Sequence, residues 1–455
     1  MLFGTDGIRG TINKYPMTPI EILNFSIAIG IMVQRICASK HEKSYKPKVI
    51  IAKDTRLSGY VIESALTSGL AAIGINVTLV GPMPTPSVPM LIKSIRADLG
   101  IMITASHNPF HDNGLKIFDE NGYKLSSEYE QSLQNIILEQ KEYPLDKYLA
   151  DPEMLGKVVR LEDVHGRYIE YVKSCFPKHL TLEGIRIVVD CAHGAAYKIA
   201  PSVFWELGAE VVTIGTEPNG ININDGCGSI NPSALCAKVI ETRSDIGIAL
   251  DGDADRVLIC DETGKVISCD HIIATIALFL QSKNKLRGDG VVITHVSNSA
   301  LKNYFSQMGI QTYTTNVGDK HVANEMRKRQ CNLGGESSGH IILSDYTSTG
   351  DGIIAALQIM AFLKEKGMAA SDILDIFPLT PQKSISIEML GGINPLTNDS
   401  KTSLIEQIKN ENTDVRIIVR KSGTENVIRV MAEGHNLQQV DSIIQQLKEI
   451  LTAEN

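Results

Sequence analysis

The chain has no excess of basic charge: 44 lysines and arginines stand against 52 aspartates and glutamates, a formal net charge of −8. That balance offers no overall attraction to nucleic acid or to an anionic membrane, so any anion site must be built locally. Paired cysteines are also missing. The eight cysteines, at positions 37, 175, 191, 227, 236, 260, 269 and 331, show no CxxC spacing. A zinc ribbon and a disulfide framework are thereby disfavoured, and reduced thiols in a cytoplasmic protein are expected. No uninterrupted apolar run approaches the ~18 residues of a membrane span. The opening "MLFGTDGIRG" has neither the apolar core nor the small-residue cleavage site of a secretory leader. Nucleic acid and membrane are therefore not expected partners. No GxxxxGK[ST] phosphate loop occurs, which counts against a nucleotide-dependent kinase. Low-complexity segments are absent as well.

What is present fits a multidomain globular protein. Hydrophobic residues make up 43% and charged residues 21% of 455 positions, a length that calls for three or four domains. Short Val/Ile-rich runs alternate with helical patterns: "KVIIAKD", "NVTLVG" and "DLGIMIT" first, then "GIRIVVD", "EVVTIG" and "SDIGIAL", then "GVVITHV". Such alternation predicts α/β units. The tail, with "KSISIEML", "DVRIIVRKSGTENVIRVMAEG" and "NLQQVDSIIQQLKEIL", predicts an α+β module on antiparallel strands. The expected fold is three similar α/β domains with mixed sheets plus a C-terminal α+β domain, divided at 1–153, 154–254, 255–370 and 371–455.

Four stretches carry chemistry. "TASHNP" (104–109) follows an apolar strand and is expected in a strand-to-helix crevice, where open α/β sheets place ligands. There Ser106 is a candidate nucleophile or phosphate carrier, with His107 beside it, or a plain turn residue. "DGDADR" (251–256) sets Asp251, Asp253 and Asp255 at alternate positions, a repulsive arrangement unless a hard divalent cation sits among them. An EF-hand would need glycine where Arg256 stands and helices on both sides, and an acidic solvent turn is the bland alternative. "GGESSGH" (334–340) offers Glu336 and Ser338 to sugar hydroxyls and His340 as a proton shuttle, or else a glycine-rich turn with a structural histidine. "RKSGTENVIR" (420–429) brings Arg420 and Arg429 with Ser422, Gly423 and Thr424, a small phosphate cradle or a hairpin turn with solvent-facing arginines. Lys116, ten residues past Ser106, enters an apolar strand and faces either the site or solvent.

Taken together and in this order, "FGTDGIRG", "TASHNPFHDNGLKIF", "DGDADRV", "GGESSGHIIL" and "RKSGTENVIRVMAEG" resemble the α-D-phosphohexomutase superfamily, from Phe3 to about Gly434. The resemblance implies domains arranged around a central active-site cleft with a mobile fourth domain. It makes Ser106 the phosphoserine and assigns one Mg²⁺ to the Ser106 phosphate with Asp251, Asp253 and Asp255. Glu336 and Ser338, with Arg256, would bind the sugar, and Arg420, Ser422, Gly423, Thr424 and Arg429 the non-transferred phosphate. Lys116 and His340 become the proton-transfer candidates, Arg9 a charge-neutralising group and His107 a supporting residue. The implied reaction interconverts hexose 6- and 1-phosphates through a 1,6-bisphosphate, which also primes the enzyme. "MLFGTDGIRG" and "NVGDKHV" are most similar to the branch that acts on glucosamine phosphates and supplies cell-wall precursors; glucose and mannose phosphates are the alternative within the class. A phosphatase and a non-catalytic sugar-phosphate binder remain alternatives of other classes, and a homodimer is left open. The chain departs from the family pattern at Lys421 and Asn426, where proline is common, and at Ala254, where glycine is common.

Overall fold

The computed structural model describes residues 7–40, 42, 45–142, 145–288, 290–389, 394–423 and 426–453. The first unit runs β1 (Ile8–Thr11), α1 (Pro19–Ala38), β2 (Lys48–Lys53), α2 (Gly59–Ala72), β3 (Asn76–Pro82), α3 (Ser87–Ile95), β4 (Leu99–Ile103), β5 (Asp112–Phe118), α4 (Ser127–Glu142) and β6 (Val158–Arg160). Its sheet has the order β1-β5-β4-β2-β3-β6. β2, β3, β4 and β6 are parallel, while β5 turns back antiparallel to β4. The centre of the sheet reads as continuous apolar sequence because helices cover both faces.

The second unit comprises α5 (Val164–Ser174), β7 (Arg186–Asp190), α6 (Ile199–Glu206), β8 (Glu210–Ile214), α7 (Ser233–Thr242), β9 (Ile246–Leu250), β10 (Val257–Asp261) and β11 (Val266–Ile267), in sheet order β11-β10-β9-β7-β8. The third comprises α8 (Cys269–Ser282), β12 (Gly290–Thr294), α9 (Ser299–Gln307), β13 (Gln311–Thr315), α10 (Asp319–Arg329), β14 (Leu333–Gly335), β15 (Ile341–Leu343), α11 (Gly352–Lys366) and α12 (Ala370–Ile373), in sheet order β13-β12-β14-β15. The fourth packs α13 (Asp399–Glu411) and α14 (Leu437–Thr452) on the antiparallel strands β16 (Gln382–Glu388), β18 (Val427–Glu433) and β17 (Arg416–Lys421). β6 lies past residue 153, and β10 and β11 lie past residue 254, so the first two sheets run beyond those expected divisions.

One device recurs in the first three units: a parallel strand ends in a loop that returns as an antiparallel strand. The pairs are β4/β5, β9/β10 and β14/β15, and their loops are TASHNP, DGDADR and ESSGH. The expected strand-to-helix setting of TASHNP is thus corrected. The chain after Pro109 does not start a helix, because Asp112–Phe118 forms a strand that pairs with β1 through its first half and with β4 through its second, burying "NGLKIF" in the sheet.

A single apolar cluster runs through the first three units, including Ile50 and Met102, Tyr168 and Val189, Ile273 and Leu357. The fourth has its own core, built on Ile428, Val430, Val440 and Leu447. Helix α1, its apolar residues interrupted by Glu21, Asn24, Gln34 and Arg35, leaves the absence of an uninterrupted apolar run standing. With Thr18 accepting from Glu21 N at its start and Pro19 in the first turn, it is 20 residues long with mean hydropathy 1.5, long and apolar enough to cross a bilayer. Its apolar window is 61% buried, and it packs on α2 and α4 in the core of the first unit.

Candidate active site

The three return loops converge. Ser106 is fully buried at the turn out of β4, with φ +54°. Its Oγ donates to Asp251 Oδ2 (2.7 Å) and lies 3.5 Å from His107 Nδ1. Asp251, Asp253 and Asp255, all buried, offer carboxylate oxygens within 4.8 Å of one another. Flanked by β9 and β10, this is no EF-hand. Ala254 sits at φ +57°, the left-handed region that favours glycine, which gives a physical reason for the glycine common at this position.

Lys116, on β5, reaches across to this loop. Its Nζ donates to Asp253 Oδ2 (2.7 Å) and Asp255 Oδ2 (2.6 Å) and is almost wholly buried, so it faces the site. One lysine does not neutralise three carboxylates. Burial, followed by the charges of Asp253 and Asp255, pushes Asp251 up to about 8. Burial also raises Asp255, but Lys116, His340 and Arg256 outweigh it and hold that carboxyl well below its ordinary value. Asp253 Oδ1 and Asp255 Oδ1 are buried with no hydrogen-bond partner among the described residues. Three hard oxygen-donor side chains, two of them with an oxygen that accepts no hydrogen bond, fit a divalent cation of the Mg²⁺ type.

Above this nest lies a cleft lined by Arg9, His107, Arg256, Gly318, Asp319, Glu336, Ser338, His340, Arg420, Ser422, Gly423 and Arg429, with Asp255 in its floor. Motifs from all four units meet there. A larger cavity of about 470 Å³, lined by Tyr123, Arg287, Arg327 and Cys331, contains none of the motif residues, so chemistry rather than size marks the site.

Glu336 is buried, with its Oε1 accepting from Gly318 N (2.8 Å), while Ser338 is exposed to the cleft. His340 Nε2 accepts from Gly350 N (3.0 Å), which in the neutral ring leaves the proton on Nδ1, facing Asp255 at 3.6 Å. Burial lowers this imidazole, but Asp255 and Asp319 raise it further and the net shift is upward. His107 goes the other way, to about 3, through burial and then the positive charges of Arg256 and Arg9.

Arg9 donates to Ala105 O (3.4 Å), and Arg256 N donates to Asp251 Oδ1 (3.2 Å). Arg420 and Arg429 face each other across β17 and β18 at the hairpin tip, and the Arg420 guanidinium is shifted down by burial and by Arg429. Thr424 lies outside the described residues.

Several contributors escaped the sequence reading. Thr85 donates its hydroxyl to Asp253 Oδ2. Asp319, at the start of α10, pairs with Lys124 and lies 3.6 Å from His340 Nε2. Asp54 and Arg56 pack behind Ser106, and Asn224 reaches the same loop from the second unit. "KDTR" at the end of β2 carried a usable signal for Asp54 and Arg56, since charges just past a parallel strand's carboxyl end border the ligand crevice.

A buried serine among cation-ready carboxylates, under a cleft carrying hydroxyl-binding groups and paired arginines, has the chemistry of phosphoryl transfer on a hydroxylated anion. Known proteins agree with that class. Four domain families match in order: phosphoglucomutase/phosphomannomutase α/β/α domains I (residues 1–144), II (166–264) and III (268–379) and the C-terminal domain (387–450). The chain belongs to the phosphoglucomutase/phosphomannomutase family. It is 47% identical over 452 residues to the phosphoglucosamine mutase of Rhizobium rhizogenes, covering 99% of this chain and 98% of the relative. It is 49% identical over 451 residues to that of Zymomonas mobilis, covering 98% of each. Among solved structures, a phosphoglucomutase/phosphomannomutase family protein from Burkholderia thailandensis superposes with TM-score 0.80 at 22% identity, over 100% of this chain and 98% of that one. An Aspergillus fumigatus N-acetylphosphoglucosamine mutase in complex with GlcNAc-6P and magnesium gives TM-score 0.66 at 17% identity, over 99% and 95%.

Proposed function

We propose that this enzyme is a phosphoglucosamine mutase, interconverting glucosamine 6-phosphate and glucosamine 1-phosphate. The observation that carries the reading is the 2.7 Å contact between Ser106 Oγ and the Asp251–Asp255 nest beneath a cleft built from all four units. The family and the near-half identity to phosphoglucosamine mutases support the choice of sugar.

In this reading Ser106 carries a phosphoryl group of about −1.5 to −2 charge. Asp251, Asp253 and Asp255 hold Mg²⁺, which when bound supplies positive charge beside the transferring group. Lys116, Arg9 and Arg256 offset the remaining repulsion between phosphoserine and an anionic sugar. Glu336 and Ser338 orient the ring through its hydroxyls, and Arg420, Ser422, Gly423, Thr424 and Arg429 grip the phosphate that does not react.

The O1–P bond forms as the Ser106 Oγ–P bond breaks, and Lys116, cationic between Asp253 and Asp255, gives a proton to the departing Oγ and takes up the O1 hydroxyl proton, so that it ends as it began. His340 orients Asp255 and holds charge at the nest's edge, because Gly350 already occupies its Nε2. The 1,6-bisphosphate then turns end for end and returns its 6-phosphoryl group to Ser106. Bisphosphate lost to solvent leaves Ser106 bare, so added 1,6-bisphosphate restores activity. A cytoplasmic location belongs to the same reading and is supported by eight unbridged cysteines.

The test is kcat/KM for the 6-phosphates of glucosamine, glucose and mannose with a trace of bisphosphate. Preference for glucosamine by tenfold or more supports the reading, preference for glucose or mannose replaces it with phosphoglucomutase or phosphomannomutase activity, and steady phosphate release without isomerisation overturns it.

A further inference from the structure

Ser106 occupies a left-handed backbone conformation, φ +54°. For a residue with a side chain that conformation is strained and persists only where the surroundings impose it. Behind the loop that carries Ser106 stands Arg56. It is 1% exposed, belongs to the loop after β2, and lines no part of the cleft.

Its guanidinium has five N–H donors, and each has an acceptor. Nε donates to Asp54 Oδ2 (2.8 Å), and Nη2 donates to the carbonyls of Ser106 (2.9 Å) and Asn108 (2.8 Å). Nη1 donates to the carbonyls of Pro109 and Asp112, the latter at 3.2 Å. One planar cation thus gathers four carbonyls of the 106–112 loop. Asp54 extends the grip to the other side of the serine: Thr104 Oγ1 donates to its Oδ2 (2.8 Å) and accepts from Ser106 N (2.9 Å). From the second unit, Asn224 Nδ2 donates to the same carbonyls of Ser106 (3.0 Å) and Asn108 (3.2 Å). The peptide on each side of Ser106 is therefore fixed by groups that touch neither Oγ nor the cleft.

We propose that Arg56, seated on Asp54 and assisted by Asn224, is the positioning residue that holds Ser106 Oγ against the carboxylate nest throughout the phosphoryl-transfer cycle. The proposal rests on the mutase reading for its assay. A lysine cannot replace the guanidinium, because three donors on one nitrogen do not span acceptors spread from Asp54 to Asp112. Released from its clamp, the loop relaxes toward ordinary φ and carries Oγ away from Asp251.

The test is Arg56→Lys, with Asn224→Ala as a second variant, assayed on whichever hexose phosphate the wild type turns over best and well below each variant's Tm. A displacement of about 1 Å at a reacting atom costs about 100-fold, so Arg56→Lys is expected to lower kcat by about that factor. KM should stay within about threefold, since Glu336, Ser338 and the arginine loop are untouched. Asn224→Ala should lower kcat roughly tenfold, and the double variant should lose less than the product of the two, because both act on the same carbonyls. Wild-type kcat in Arg56→Lys, or a loss confined to KM, overturns the proposal. If Arg56→Lys does not fold, Asn224→Ala decides alone: a kcat within threefold of wild type overturns the proposal. Failure of the mutase reading looks different, since the wild type itself would then isomerise none of the sugars.

Discussion

Substituting Glu433→Gln tests how the fourth unit is held over the cleft. That unit has its own apolar core and meets the third through polar contacts at the loop after β12. Glu433 is 2% exposed and accepts from Ser299 N (2.9 Å) and from Arg416, which also donates to Ser297 O (2.7 Å) and His295 O (3.1 Å). Arg416 faces Glu433 across β17 and β18, and Arg420 faces Arg429 four residues further along. The anchor and the pair proposed to grip phosphate therefore sit on one hairpin, about 13 Å apart at ~3.3 Å per residue. A glutamine has one carbonyl for two donors, so it turns its NH₂ toward either Ser299 or Arg416. Losing one hydrogen bond to a buried charge costs about 2 kcal/mol, roughly 30-fold in the docking equilibrium. Hydrogen exchange followed by mass spectrometry reads this directly. Exchange in the segment 295–299 should accelerate by up to about 30-fold while β12 is unaffected, and KM for the sugar phosphate should rise more than kcat falls. Unchanged exchange in 295–299 would refute the reasoning.

Three further outcomes follow from the site. Asp253→Asn removes one of the three carboxylate charges of the proposed cation nest and should raise the Mg²⁺ concentration for half-maximal activity at least about tenfold; a wild-type metal titration would remove the carboxylate loop from the account. Ser106→Ala should abolish isomerisation and the added phosphate in the intact mass while leaving the thermal melt cooperative, and retained turnover would disprove the nucleophile assignment. His107 is held near 3, below the ordinary histidine value, so the unfolded chain takes up its proton first as pH falls. That group's stabilisation is complete above about pH 6.5 and is lost between about 6.5 and 3. His107→Gln should therefore flatten the fall of Tm with acidification in that window, and an unaltered slope contradicts the shift.

Much of the architecture was legible because buried parallel strands read as apolar runs: β2, β3, β4, β7 and β9 all fall where "KVIIAK", "NVTLVG", "LGIMI", "RIVVD" and "IGIAL" place them. The motifs that meet at the candidate site stood out by residue type: a serine after an apolar strand, alternating aspartates and paired arginines. Topology was less legible. "DNGLKIF" opens with polar residues and pairs backward onto β4, a tertiary choice that local pattern does not encode, and so the repeat of three return loops went unseen. Asp54, Arg56 and Asn224 were missed for a related reason. Arg56 acts on residues fifty or more positions away, and Asn224 on residues more than a hundred away, through contacts that exist only in the fold. Helix α1 shows the converse: its hydropathy alone fits a membrane span, and its packing on α2 and α4 explains the apolar composition.

The central claim is that Ser106 carries the phosphoryl group between the two ends of the sugar. Radiolabelled bisphosphate incubated with the enzyme should label the wild type and leave Ser106→Ala unlabelled, and unlabelled glucosamine 6-phosphate added next should carry that label off as sugar phosphate. Label that never enters the protein, or leaves it only as inorganic phosphate, contradicts the account.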